Sequence, residues 1–131
     1  MFTYRGFNKK LEIIKRSCDY RNVYSQGISV ADKYLVLYAR TNFSNINRFG
    51  FSISKKVGKA VVRNRIRRLL KEICRLNPQL FNTGYEYVII VRPEGAALDF
   101  KGAFSSLKFL AGKINKRIKQ QSKGDNFCVV E

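Results

Sequence analysis

Lys55 to Lys71 reads KKVGKAVVRNRIRRLLK, a stretch with eight basic residues and no acid. Apolar residues recur behind Gly58 at three- and four-residue spacing, and Pro78 follows, which predicts a helix from just after Gly58 to about Leu76. At about 100° per residue, Val62, Ile66, Leu69, Leu70, Ile73 and Leu76 share one side of that helix. Arg63, Asn64, Arg67, Arg68, Lys71 and Arg75 fall on the other, within an arc of about 140°. A merely solvated face would mix Glu with Lys for i, i+4 support, whereas here only Glu72 breaks the run. Like charges packed in this way repel one another unless an anion neutralises them. The face asks for an anionic partner.

Strands lie before and after this helix. RFGFSISK, from Arg48, sets Phe49, Phe51 and Ile53 against Gly50, Ser52 and Ser54, so one face is apolar and the other small and polar. Upstream, ISVAD and KYLVLYAR read as two strands joined by a tight turn near Asp32 and Lys33, with Leu35, Leu37 and Ala39 alternating against Tyr34, Val36 and Tyr38. Before them, SCDYRNVYSQG predicts a short helix with Ser17 as N-cap, Tyr20 and Tyr24 one turn apart, and Gly27 as its end. Downstream, YEYVIIVRP is apolar on both faces, the pattern of a central strand. Asp99 is placed to cap a last helix in which Phe100, Phe104, Leu107, Leu110 or Ala111, Ile114 and Ile118 cover the sheet. The periodicity fails from Lys119. The chain is therefore expected to be one domain over 1–131, with an ordered core at about 9–118 and a mobile tail over 119–131.

Composition narrows the chemistry. The 131 residues carry 26 Lys and Arg against nine Asp and Glu, a formal charge of +17, which opposes compaction and favours an anionic partner. Ten Phe and seven Tyr, within 45% apolar residues, exclude a disordered basic tail. No histidine is present, which removes Ser/His/Asp and Cys/His chemistry. The nine acids include no D-x-D or E-x-x-D grouping of the kind that holds catalytic cations at a phosphate. Cys18, Cys74 and Cys128 are odd in number and lack C-x-x-C spacing, as expected of free thiols. No apolar run approaches the ~18 residues of a membrane span, and the N-terminus lacks the continuous apolar core of a signal peptide. A cytoplasmic protein is expected, without a membrane as partner.

The string S-K-K-x-G-x-A-V from Ser54, running into Arg63-Asn64-Arg65 and then I-R-R-L, resembles the signature of the protein component of bacterial ribonuclease P. CDYRNVYSQGISVADKYLVLY supplies a separate match to that family's first helix and first two strands, and the resemblance spans roughly Ile14 to Leu110. It implies an α+β fold, a two-layer α/β sandwich in the order α-β-β-β-α-β-α, with a left-handed crossover from the third strand through the basic helix to the fourth. Parallel crossovers are right-handed in about 98% of cases, so the general rule alone would favour the other hand.

The resemblance also implies a division of labour. The RNA subunit would cut the 5′ leader from precursor tRNA with magnesium ions that it holds itself, none being bound tightly by the protein. The protein would bind the catalytic RNA and the leader. Lys55, Lys56, Lys59, Arg63, Asn64, Arg65, Arg67, Arg68 and Lys71 would meet the catalytic RNA, the arginines as bidentate forks and the lysines as point charges. Asn64 could donate to an RNA oxygen, hold a neighbouring arginine, or simply perturb the helix. Tyr20, Tyr24 and Tyr38 match the aromatic positions of the family's leader-binding cleft, where phenylalanine is common at the first two. Their alternative is ordinary core packing. Two other classes stay open. A ribosomal or other structural RNA-binding protein would share the charge, while a helix-turn-helix DNA binder would need a helix, not a strand, before the basic one, so DNA is not expected as a partner.

Overall fold

The computed structural model describes residues 11–130, with side chains through residue 120. Helix α1 (Ser17–Gln26) is followed by strands β1 (Ile28–Ala31), β2 (Leu35–Thr41) and β3 (Arg48–Ile53), then helix α2 (Ala60–Leu76), strand β4 (Tyr85–Val91) and helix α3 (Phe100–Val130). Short 3-10 turns at Pro78–Leu80 and Pro93–Ala97 flank β4. This is the α-β-β-β-α-β-α order expected, in a four-stranded sheet ordered β1-β2-β4-β3.

β1 and β2 form a hairpin because Asp32 closes its turn, its Oδ1 accepting from the Tyr34 and Leu35 amides at 2.8 Å each. β4 inserts between β2, to which it is antiparallel, and β3, to which it is parallel. That interior position explains its two apolar faces. The parallel pairing forces the chain back over the sheet between β3 and β4, and α2 makes the return.

One face of the sheet presents Leu35, Leu37, Ala39, Phe49, Phe51, Ile53, Tyr87, Ile89 and Val91 to the core formed with α2 and α3. α2 contributes Ile66, Leu70, Ile73 and Cys74, and burial pushes the Cys74 thiol far above its ordinary pKa, so it packs as a small apolar group. The expected thiol state holds for Cys18 and Cys74; Cys128 lies outside the described side chains. On the other face, Ile14, Val23 and Val88 pack with Tyr20, Tyr38 and Ile90, so α1 adds a partial cover behind the main two layers.

Three local details differ from the expectation. Arg16, not Ser17, occupies the N-cap of α1, and Ser17 is the first helical residue. Gly27 ends α1 as expected, with an extended φ of −90°, and it is needed for space: a Cβ there would lie 2.7 Å from the Ala39 carbonyl oxygen. Phe100 is 44% exposed, because Asp99 caps the helix through Gly102 N at 2.8 Å and this phase hands the core position to Ala103. α3 also runs beyond Ile118, where the apolar repeat stops. Residues 9 and 10, and the tail side chains from 121 on, lie outside those described.

Candidate nucleic-acid interfaces

Two chemically different surfaces sit on opposite faces of the sheet. The first is built on α2. After β3 the chain turns tightly, with Val57 N donating to Ser54 O at 3.0 Å and Gly58 N to Lys55 O at 3.2 Å. Val57 is buried in the core, and this anchor leaves Lys55, Lys56 and Lys59 exposed around it. Along the helix, the Arg63 guanidinium donates through Nε to Gly58 O at 3.1 Å, tying the first turn to the loop. Asn64 Oδ1 accepts from Arg67 Nη1 at 3.0 Å. Of the roles open to Asn64, holding a neighbouring arginine is the one with visible geometry.

Arg65 stands apart from the other predicted contacts. Its Nη1 donates to Leu98 O at 3.0 Å and its Nη2 to Ala96 O at 2.8 Å, so the guanidinium fork grips the connection leading into α3. At about 100° per residue it also lies outside the arc shared by Arg63, Asn64, Arg67, Arg68 and Lys71. Arg68 makes no hydrogen bond or ion pair among the described residues and is exposed. Glu72, the one acid nearby, is paired with Arg75, which holds its carboxyl below the usual glutamate range. The acid is thereby withdrawn from competition for Arg67, Arg68 and Lys71.

The second surface lies between α1 and the far face of the sheet. Register sets Tyr38, Val88 and Gly50 side by side across β2, β4 and β3, and Val36, Ile90 and Ser52 in the next row. Gly50 is required because the Tyr20 ring lies on it: a Cβ would come 2.7 Å from that ring. The Tyr20 hydroxyl accepts from Phe51 N at 3.2 Å and donates to Ile14 O at 3.4 Å. β3 is an edge strand, and this hydroxyl satisfies one of its outward amides. Tyr24 is 37% exposed and meets Tyr38 edge-on, with ring centroids 5.1 Å apart. Its phenol is raised in pKa by burial, partly offset by a hydrogen bond with Ser52. Tyr24 and Tyr38 thus meet beside the half-buried Val36 and Ile90 of the next row, while Tyr20 is tied to β3 through its hydroxyl. Replacing Tyr20 by Phe is expected to destabilise the fold by about 1 kcal/mol, because Phe51 N loses its partner. Chemical denaturation of the two proteins measures this; identical midpoints would rule out the anchoring role.

A charged row that sequence reasoning missed holds α1 in place. Arg40, Glu86 and Arg48 are register neighbours, and the buried Glu86 carboxylate accepts from Arg40 at 3.3 Å and from Arg48 at 2.9 Å. Arg48 continues to Asp19 at 3.0 Å, and Arg40 Nε donates to Gln26 Oε1 at 2.8 Å, so both ends of α1 are moored to one row of the sheet. Arg48, and then Arg16, hold the Asp19 carboxyl below the usual aspartate range. No local pattern announces this network, since its members lie far apart along the chain.

Among the described residues, no three His, Cys, Asp or Glu side chains are grouped so as to hold a metal ion. No helix of the described residues is long and apolar enough to cross a membrane.

Known proteins with this pattern are consistent with one another. The family model for Ribonuclease P matches residues 7–115. The chain is 48% identical over 111 residues to the ribonuclease P protein component of Desulforamulus reducens, covering 85% of this chain and 98% of the relative. With the same component from Clostridioides difficile it shares 47% identity over 103 residues, 78% of this chain and 90% of the other. Among solved structures, the RNase P protein of Staphylococcus aureus matches with a TM-score of 0.71 at 29% identity, over 77% of this chain and 93% of that one. The RNase P protein of Thermotoga maritima matches with a TM-score of 0.73 at 28% identity, over 79% and 97%. With a family match from before α1 into α3 and relatives covered almost end to end, the chain belongs to the ribonuclease P protein family.

Proposed function

We propose that the chain is the protein subunit of a ribonuclease P holoenzyme, which removes the 5′ leader of precursor tRNA by RNA-catalysed hydrolysis. In this reading α2 and the turn before it meet the catalytic RNA through Lys55, Lys56, Lys59, Arg63, Arg67, Arg68 and Lys71. Asn64 sets the Arg67 fork, and Arg65 acts mainly by fixing the approach to α3. The tyrosine strip on the far face takes the single-stranded leader, where a base on an aromatic ring is worth roughly 1–3 kcal/mol whatever its sequence. Magnesium belongs to the RNA subunit, and the holoenzyme works in the cytoplasm.

One observation carries the reading: a phosphate-seeking helix and an aromatic strip occupy opposite faces of one sheet, in a chain with no histidine. Such a protein can bridge two RNAs, lowering the electrostatic cost of bringing their backbones together. It supplies no general base of its own. The test is a cleavage assay on precursor tRNA. The protein alone is expected to be inactive, and the RNA subunit at low magnesium inactive or slow until the protein is added. Cleavage by RNA-free protein would overturn the assignment of chemistry to the RNA. Binding of the RNA subunit with no gain in cleavage would favour a structural RNA-binding protein instead.

A further inference from the structure

α3 carries a surface that neither face described above uses. Ser105, Lys108, Phe109, Gly112, Lys113 and Lys116 line one shallow depression along the helix. At about 100° per residue they lie opposite Leu107, Leu110, Ala111 and Ile114, which are buried, so the stripe points away from the sheet. Its flanks are fixed: Asn115 Nδ2 donates to Leu80 O at 3.1 Å on the α2 side, and Arg117 donates to Ser29 O on the β1 side.

The stripe combines three features. Between Phe100 and Gln120 there is no Asp or Glu, so Lys108, Lys113 and Lys116 have no acid within that span of the helix to pair with. Phe109 is 56% exposed in their midst, with Lys113 Nζ 5.2 Å from its ring centroid. At Gly112 an added Cβ would meet nothing within 4 Å, so the floor beside the ring is open. An aromatic face in a lysine field is the arrangement that takes a base by stacking and its flanking phosphates by charge. A second copy of a +17 chain is disfavoured there by repulsion.

We propose that this stripe is a second contact for the RNA subunit, with an unpaired base on Phe109 and phosphates on Lys108, Lys113 and Lys116. The RNA subunit, rather than the leader, is the occupant because α3 lies on the same side of the sheet as α2, while the tyrosine strip lies on the other. The proposal rests on the ribonuclease P reading.

The test measures the affinity of the full chain for the RNA subunit as a function of salt, using K108Q/K113Q/K116Q, F109A and F109Y, with R67A/R68A as reference and thermal unfolding as a check on the fold. The triple variant is expected to flatten the log–log salt dependence by about 2.1–2.7, at roughly 0.7–0.9 per phosphate. F109A should weaken binding about tenfold with the salt slope unchanged, and F109Y should restore it. If R67A/R68A weakens binding while the α3 variants match the wild type in affinity and slope, this proposal alone fails. Weakening seen only with precursor tRNA also overturns it. A wild-type chain that does not bind the RNA subunit ends the ribonuclease P reading and this proposal together.

Discussion

Replacing Arg67 and Arg68 together by alanine is expected to weaken binding of the RNA subunit about a hundredfold, by far the largest effect on affinity of any exposed pair. Each is taken to make one charge-assisted contact worth about 1.5 kcal/mol, and about 3 kcal/mol corresponds to roughly two orders of magnitude. The salt dependence should fall by about 1.4–1.8, the contribution of two neutralised phosphates. Lysine at both positions should preserve much of the slope and less of the affinity, since it keeps the charge but loses the fork. Asn64→Ala should act through Arg67, whose guanidinium it holds at 3.0 Å, and should cost less than Arg67→Ala. Arg65→Ala provides the contrast: its donors already serve Ala96 and Leu98, so it should lower thermal stability while leaving the salt slope nearly unchanged. Titrations of RNA subunit against each variant at several salt concentrations decide the matter. Equal effects of Arg65 and Arg68 on the slope would show that the basic surface extends around the helix.

Glu86→Ala should have the largest effect on stability. The carboxylate is buried between Arg40 and Arg48, with its side chain only 5% exposed, and its removal leaves two guanidiniums crowded in one row without a counter-charge. Breaking a buried ion pair from one side costs about 3–5 kcal/mol; with both arginines partly in solvent, the lower end of that range applies. Such a loss lowers the melting temperature by roughly 10 °C in a domain of this size. Because Arg40 and Arg48 also moor Gln26 and Asp19, α1 should loosen first. Hydrogen exchange of the α1 amides, compared with those of α2, reads this directly. A melt unchanged within a degree or two would mean that water replaces the carboxylate without cost. The same experiment bears on the cleft, since Tyr20 and Tyr24 ride on α1.

Much of this architecture is legible in the residue order because it rests on short-range periodicity. The apolar recurrence from Val62 to Ile73 specifies a helix with one buried side, and the burial of Ile66, Leu70 and Ile73 follows from that phase. The run from Tyr87 to Val91, apolar on both faces, has the pattern of an interior strand, and it lies between β2 and β3. Asp99 is a cap by its position before an apolar repeat, and Asp32 closes a turn by the chemistry of its short side chain. The charge of +17 and the absence of histidine excluded whole classes of chemistry before any fold was known. These properties depend on residues within a turn or two of one another, or on the chain as a whole.

Strand register and helix docking decided the rest. Arg65 is one more cation in a basic run until the fold brings Ala96 and Leu98, more than thirty residues on, within reach of its fork. Gly50 is a small residue in a strand until α1 lays Tyr20 upon it. Glu86 lies 46 residues from Arg40 and 38 from Arg48, and only the placement of β4 between β2 and β3 makes them neighbours. The α3 stripe likewise becomes a surface once the opposite side of the helix is committed to the sheet. Local sequence sets the phase of each helix and strand, because backbone hydrogen bonding and side-chain periodicity act over a few residues. Which side chains then share a charge, a ring face or a hydroxyl depends on contacts closed across long loops, and no pattern within one element encodes them.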